Sequence, residues 1–587
     1  MLQHYLPFLR WPRLTPQRFQ SEFFAGLTVG LLALPQSVAY AGLAGMPLIT
    51  GIYATLLPTL IAALFSATPR LATGPTALTC LLIYGSLSGM AQPGSAEWVV
   101  LAGWLALFSG LFQIGLGALR QGWLMDLVSS PVLMAFTQAA ALLIITSQLP
   151  ALLALEGMPS VGADAALSWH LPSAVLGVVS LLIILVARRL RPSIPAVFLL
   201  LVVAAAAAWL WNWDTYGIGV VGELPAGFPA LGVPILAPLH SLMQLLLPAL
   251  VIALVSFMET AASARLDHVQ SGEPWNRDQD LIGQGAAKLT AAFCGAFPTS
   301  TSFSRSALNL FAGAQSGWSN IFCCVVVAAV LAVGLPVLAW VPNAVLAAVV
   351  VASVLGLLKW QPWVQLWRGS RRDFFVALAT LVITYAAAPS MYWGVCAGLV
   401  LSLLIFVHRR LHPRVVELGR HPDGSLRDRH EWDLPPLNER VLALRPDCSL
   451  DYLVAPAVER RVLEMSKTER DVDAVYLFMQ GVNLIDTTGL EVLARLFDQF
   501  RRRSIKINVV GAKLDVERRM KSLFATRDDV RFHRTEADAL ATMGPAEAPD
   551  AVSDSECLGH TNAPDPVSDD RRMQQFEPSE GPDAERS

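Results

Sequence analysis

The chain is short of charge. Asp, Glu, Lys and Arg make up 15% of its 587 residues, while hydrophobic residues make up 54%. A soluble globular protein carries about 25% charged residues, so a water-soluble domain is excluded for most of this length. The shortage is uneven. From about Glu22 to about Val407 apolar runs of helix length follow one another, and beyond them the sequence is charged and mixed. Cysteine offers no framework either. The seven cysteines show no CxxC pair and no regular spacing, so neither a disulfide scaffold nor a zinc site is indicated. Cys80, Cys294, Cys323 and Cys324 fall within or beside apolar runs and read as small buried hydrophobes. GxSxG, HExxH and Walker lysine motifs are missing, so no enzyme is expected and no cofactor is implied. The net charge of −3 sums two unlike halves, and the basic residues sit in short loops, which does not suggest nucleic-acid binding. The start, MLQHYLPFLRWPRLTPQRFQ, has no compact apolar core with a small-residue cleavage site, so the first apolar run is expected to be a retained span.

The apolar runs count to about fourteen segments that would cross a lipid bilayer. They lie near residues 22–41, 48–67, 72–90, 97–117, 124–148, 172–188, 193–211, 240–264, 281–296, 301–314, 318–339, 342–358, 373–388 and 391–408. Cytoplasmic loops should hold the Lys and Arg. Alternate loops do hold them: Arg10, Arg13 and Arg18, then Arg70, Arg120, Arg188, Arg189, Arg191, Arg265, Arg277, Lys359, Arg368, Arg371 and Arg372, and last Arg409 and Arg410. The intervening loops QPGSAEW and ALEGMPSVGADAALSWH have none. Both termini are therefore expected in the cytoplasm, at the cell (inner) membrane. Within the apolar region only Lys288 and Arg305 break the pattern.

Two segments are interrupted. Gly74-Pro75 precedes one apolar run and Pro298 precedes another. Proline favours the first turn of a helix, so each stretch predicts extended chain leading into a half-helix. They are the third and tenth segments, equivalent places in two halves of about seven spans, and interrupted segments so placed point to a transporter site at an inverted-repeat interface. Two facing helix N-termini would favour an anion between them. Gln36 and Tyr40 share a face of the first span, and Glu259 and Ser263 share a face of the eighth. Pro35 is expected to kink the first span. Ionisable residues within a membrane are functional candidates by default. Other readings stand beside these. Arg305 would snorkel or pair with Glu259; Glu259 would be a structural partner or lie near the cytoplasmic end of its span; Gln36 would satisfy backbone; Thr299, Ser300 and Thr301 would only cap a helix.

Those stretches carry a resemblance. Gly26–Pro58 (GLTVGLLALPQSVAYAGLAGMPLITGIYATLLP), Ala67–Leu78 (ATPRLATGPTAL) and Asp278–Ala314, which contains SFSRSALN, resemble the SulP family of anion transporters. The resemblance implies a polytopic α-helical membrane protein of seven-plus-seven inverted spans in core and gate domains, usually dimeric. It places Gln36, Tyr40, Thr76, Ala77, Thr301, Ser302, Phe303, Ser304 and Arg305 around the anion, with Arg305 as the positive charge. It links Glu259, with Ser263 one turn on, to coupling by H⁺ or Na⁺. Family members often have Asn where this chain has Lys288, which would either snorkel outward or add positive field to the pathway.

After residue 408 the signals alternate between strand and helix. VLALRP, AVYLFM and KINVVGA read as strands, and TGLEVLARLFDQFRRR and DVERRMKSLF as helices, which predicts a small α/β domain. LIDTTGLEVL resembles the STAS signature. Asp486 reads as a helix cap, and Thr488 matches a position phosphorylated in soluble proteins of that fold. CSLDYLVAPA replaces the stretch usual in SulP members, so a cytoplasmic partner of this domain would meet a different surface. The expected organisation is residues 1–21 as a cytoplasmic segment, 22–408 as the transport domain, 409–439 as a linker, 440–545 as the STAS domain and 546–587 as a disordered tail. The function implied is secondary transport of a small inorganic or organic anion (sulfate, bicarbonate, chloride or dicarboxylate), by symport with H⁺ or Na⁺ or otherwise, in a homodimer. A nucleobase permease of the same fold and a membrane-tethered STAS scaffold are the alternatives.

Overall fold

A computed structural model describes residues 6–127, 129–156, 168–190, 196–225, 227–272, 274–467 and 472–543. The expected disordered tail at 546–587, Arg191 and most of the long loop before the sixth span lie outside the described residues. The chain forms two compact units, Met1–Phe406 and Val407–Ser587.

Each expected span corresponds to helix in the first unit. The helices are α1 (Pro16–Leu43), α2 (Ile49–Phe65), α3 (Ala77–Leu87), α4 (Ala96–Ala118), α5 (Ser130–Leu152), α6 (Leu171–Leu190), α7 (Ala196–Leu210), α8 (Leu239–Ser271), α9 (Arg277–Phe293), α10 (Phe303–Phe311), α11 (Trp318–Ala329), α12 (Asn343–Leu355), α13 (Gln361–Gly369), α14 (Arg371–Ala386) and α15 (Tyr392–Leu411). α11 continues through a π-helical turn, Val330–Gly334, into Leu335–Ala339. Among the described residues six stretches are long and apolar enough to cross a membrane unaided: α1, α4, α5, α8 as far as Val269, α11 with its extension, and α15. Pro35 lies inside α1, which runs unbroken from its Thr15 cap. Cys80, Cys294, Cys323 and Cys324 are buried free thiols, as expected of small hydrophobes.

One helix of the first unit was not expected. α13, QPWVQLWRG, has no buried residue. Trp367 packs edge-on against Phe374 at 4.9 Å and lies under the Arg371 guanidinium at 5.5 Å. Tryptophan and arginine on a short helix suit the bilayer interface. Nine residues are too few for an apolar span to announce itself.

The helices pack as two bundles. α1–α4 pack with α8–α11, and α5–α7 pack with α12 and α14; α15 joins the second bundle through Gly394 against Thr384 and Gly398 against Val132 and Thr380. Glycine sets the closest approach in the first. A Cβ on Gly285 would lie 2.7 Å from the Gly110 carbonyl oxygen, and one on Gly110 would lie 2.8 Å from the Gly285 carbonyl. α4 and α9 therefore touch backbone to backbone, the usual device where the hydrophobic effect cannot drive helices together.

The second unit is a six-stranded sheet with helices. β3 (Val415–Arg420), β4 (Leu426–Asp428), β5 (Val441–Pro446), β6 (Ala474–Phe478), β7 (Lys506–Val510) and β8 (Val530–His533) take the order β8-β7-β6-β5-β3-β4. β5 through β8 are parallel, and β3 joins β5 antiparallel. α16 (Ala455–Met465), α17 (Thr487–Arg502) and α18 (Leu514–Phe524) bury Val462, Phe497, Phe500 and Met520 against the apolar residues of the strands. The predicted strands and helices all form. The structure adds β3 and β4, which lie within residues 409–439.

Widening the α4–α9 contact tests the packing. Gly285→Val is expected to cost about 1–3 kcal/mol by overpacking and to lower the apparent melting temperature in detergent. An unchanged melting curve would contradict that contact.

Candidate functional site

The two interrupted segments meet. β1 (Thr73–Gly74) pairs antiparallel with β2 (Ser300–Thr301), Thr73 opposite Thr301 and Gly74 opposite Ser300. Non-helical backbone inside a membrane must find its partners within the protein, because each unmet group costs several kcal/mol. Side chains supply them here. Asn320 Nδ2 donates to the Pro69 and Leu71 carbonyls at 2.8 and 2.9 Å, and Asn309 Nδ2 to the Arg70 carbonyl at 2.7 Å. Thr59 Oγ1 donates to the Thr73 carbonyl at 2.7 Å, while the Ala72 N–H donates to Ser306 Oγ at 2.9 Å. Arg305 Nη2 donates to the Pro75 carbonyl at 2.7 Å.

Each strand leads into a half-helix. Thr76 caps α3 and Ser302 caps α10, each hydroxyl accepting from a backbone N–H in the first turn. The two starts differ in access. Thr76 and Ala77 are buried, whereas Ser302 is half-buried and Phe303 and Ser304 are exposed. The free N–H groups of α10 therefore open onto an accessible surface, and those of α3 do not.

Three ionisable side chains lie at or behind this crossing. Glu259 Oε2, on α8, accepts from Thr76 Oγ1 at 3.0 Å, Thr79 Oγ1 at 3.3 Å and Ser300 Oγ at 2.5 Å. Its side chain is half-buried, and among the described residues Oε1 has no hydrogen-bond donor. Arg305 is 1% exposed, and its Nε is buried without a partner. No carboxylate of a described residue lies within 4.0 Å of its guanidinium, so the ion pair with Glu259 weighed from the sequence is not formed. The guanidinium lies over Gly74, where a Cβ would come within 3.1 Å of Nη2. Lys288 is fully buried and donates to Gln113 Oε1 at 2.9 Å. The outward snorkelling considered for it is not seen, because α4 and α9 close around its stem.

The sulfate permease family pattern matches residues 19–380, and the STAS domain pattern matches residues 436–539. The chain belongs to the sulfate permease family. It is 30% identical over 516 residues to a probable sulfate transporter of Mycobacterium tuberculosis, covering 86% of this chain and 91% of that one. It is 29% identical over 529 residues to probable sulfate transporter 4.2 of Arabidopsis thaliana, covering 85% and 77%. Its fold is that of the murine Slc26a9 anion transporter in the inward-facing state, with TM-score 0.81, 19% identity and coverage of 92% and 94%. The transmembrane domain of the cyanobacterial bicarbonate transporter BicA aligns with TM-score 0.55 and 19% identity, covering 67% of this chain and 99% of that one. As a sulfate permease the chain is a multi-pass membrane transporter of a small anion, with core and gate bundles and a regulatory STAS domain.

In this sulfate permease the crossing gathers Thr76, Ala77, Glu259, Thr301, Ser302, Phe303, Ser304 and Arg305. Thr301 Oγ1 lies 2.9 Å from Thr260 Oγ1. Tyr40 is buried in α1. Gln36 reaches toward the second bundle, its Nε2 lying 3.4 Å from Ser353 Oγ on α12. Ser263 does not join the Glu259 carboxylate; its hydroxyl donates to the Glu259 backbone carbonyl at 2.9 Å. Sequence reasoning missed Thr79, Thr260, Gln113 and Ser256, and weighed Ser300 only as a helix cap. Thr79 was the findable one, one turn beyond Thr76 on the same face. In the second unit Asp486 caps α17 by accepting from the Gly489 N–H, and Thr488 sits half-buried in the first turn.

Gly74→Ala tests the seat of Arg305. It should displace the guanidinium and weaken anion affinity about tenfold, equal to about 1.4 kcal/mol, with membrane insertion kept. Unaltered affinity in the inserted variant would separate Arg305 from the site.

Proposed function

We propose that this sulfate permease carries sulfate, bound at the first turn of α10 between the two bundles. The observation that carries the reading is Arg305, a buried guanidinium that meets no carboxylate among the described residues and has an unpartnered Nε. A cation held in that way at the start of a half-helix favours an anion. Ser302, Phe303 and Ser304 form the accessible edge, Thr301 and Thr76 stand behind it, and Gln36 and Tyr40 line the site from α1. The curated relatives named as sulfate transporters support sulfate over the other anions.

Glu259 is the coupling carboxylate in this reading, and H⁺ or Na⁺ would approach the free Oε1. Alternating access moves the first bundle against the second, within a homodimer whose termini are both cytoplasmic. Residues 22–408 transport and residues 440–545 regulate, with Thr488 as the candidate phosphorylation site.

Purified protein in proteoliposomes should take up radiolabelled sulfate. Arg305→Ala should lower sulfate affinity about tenfold or more, as loss of a charged contact does, while size-exclusion profiles stay those of wild type. Uptake of bicarbonate but not sulfate would replace the substrate; uptake of uracil alone would sink the anion reading. Ending the chain after His412 should reduce expression or trafficking and leave the carried anion unchanged. A switch of substrate on truncation would contradict a purely regulatory second unit.

A further inference from the structure

Lys288 is a buried cation that meets no opposite charge among the described residues. Among the described residues its single hydrogen bond is the one to Gln113 Oε1 at 2.9 Å. An ammonium has three donors, so most of its hydrogen-bonding capacity is unused. Gln113 is held rigidly, because its Nε2 donates to the Ala253 carbonyl and to Ser256 Oγ, both at 2.8 Å. The lysine stem has no way out. A Cβ on Gly110 would lie 3.1 Å from Lys288 Cβ, so the backbone of α4 shuts over it.

A buried ammonium needs a negative charge nearby, or it would not be kept. The carboxylate that the hydrogen-bonded neighbours of Lys288 lead to is Glu259. A short polar relay joins the two. Ser256, which accepts from Gln113, lies one turn before Glu259 on α8, and its carbonyl is 3.2 Å from Ser300 Oγ. The same Ser300 hydroxyl is 2.5 Å from Glu259 Oε2. Gln284, one turn before Lys288 on the same face of α9, donates to Thr73 Oγ1 at 2.9 Å and leaves its own Oε1 buried and unpartnered. Spare donors on Lys288 and an orphan acceptor on Gln284 thus flank the crossing from behind.

We propose that the Lys288 ammonium is the resident counter-charge of Glu259 and takes the place of a bound sodium ion in the transport cycle. The inference rests on Glu259 being the coupling carboxylate. A sodium ion reaching that carboxylate would meet a fixed positive charge, so transport proceeds without it. Removing the ammonium leaves the carboxylate unanswered and creates a site for one monovalent cation.

The test reads cation binding without needing the substrate. The full-length protein in detergent is melted in NaCl and in choline chloride at equal ionic strength and fixed pH. Wild type and Lys288→Arg should melt alike in both salts. Lys288→Asn should gain about 3 °C or more in sodium, as expected when an ion binds only the folded state, and Glu259→Gln/Lys288→Asn should lose that gain. In proteoliposomes, sulfate uptake by wild type should be unaffected by removing sodium. A sodium-dependent wild type overturns the proposal, and so does a Lys288→Asn protein indifferent to sodium. A sodium gain that survives Glu259→Gln shows instead that the carboxylate reading is at fault. If Lys288→Asn does not fold, Glu259→Gln/Lys288→Met should fold better than either single variant; an additive loss overturns the pairing.

Discussion

The structure depends on how two stretches of extended backbone are satisfied inside a membrane. Six residues, Pro69 to Gly74, run without helical hydrogen bonds until β1 meets β2. Leu71 to Gly74 are buried, so an unmet carbonyl there would cost several kcal/mol. Asn309, Asn320, Thr59, Ser306 and Arg305 each cancel one or two of these costs. Together the costs would exceed the net stability of an ordinary domain, about 5–15 kcal/mol. The polar residues of α2, α10 and α11 are thus the condition on which two half-helices can start from buried extended chain.

Charge follows from that geometry. Two half-helix N-termini, one buried arginine and one buried lysine surround a single carboxylate, Glu259. The carboxylate is tied to α3 and β2 by three hydroxyls and keeps one oxygen free. Desolvating an ion costs several kcal/mol even after relaxation, and Arg305 and Lys288 have both incurred that cost without touching a carboxylate of the described residues. The surplus of positive field is what a small anion would answer. Arg305 therefore has two roles that do not compete: its Nη2 completes the backbone at Pro75, and its charge remains for the site.

Much of this was legible before the fold. Gly74-Pro75 and Pro298 marked both breaks, because proline and glycine act locally on the backbone. Hydrophobic runs marked the spans, and alternation marked the strands β5, β6 and β7. The partners of the broken backbone were not legible, since Thr59, Asn309 and Asn320 reach it from three helices and nothing in their own neighbourhoods says so. β4 was missed because none of its residues is buried, which removes the period-two signal. α13 is too short for a span pattern. The course of Lys288 was undecidable from sequence because it is set by Gly110 and Gly285, distant from each other along the chain and adjacent only in space.

Packing also says which parts move together. Hydrogen bonds tie β1, β2, Glu259, Arg305 and Lys288 to α2–α4, α8–α11 and the segments between them, so they form one body. Breaking that body would expose the carbonyls of 69–75 again, at a cost no single bound ion repays. Between the bundles, Gln36 Nε2 meets Ser353 Oγ at 3.4 Å, a contact between neutral groups, and such a bond is worth about 1 kcal/mol net. Alternating access by this chain therefore has to carry the half-helices, and whatever anion they hold, as a unit past α12.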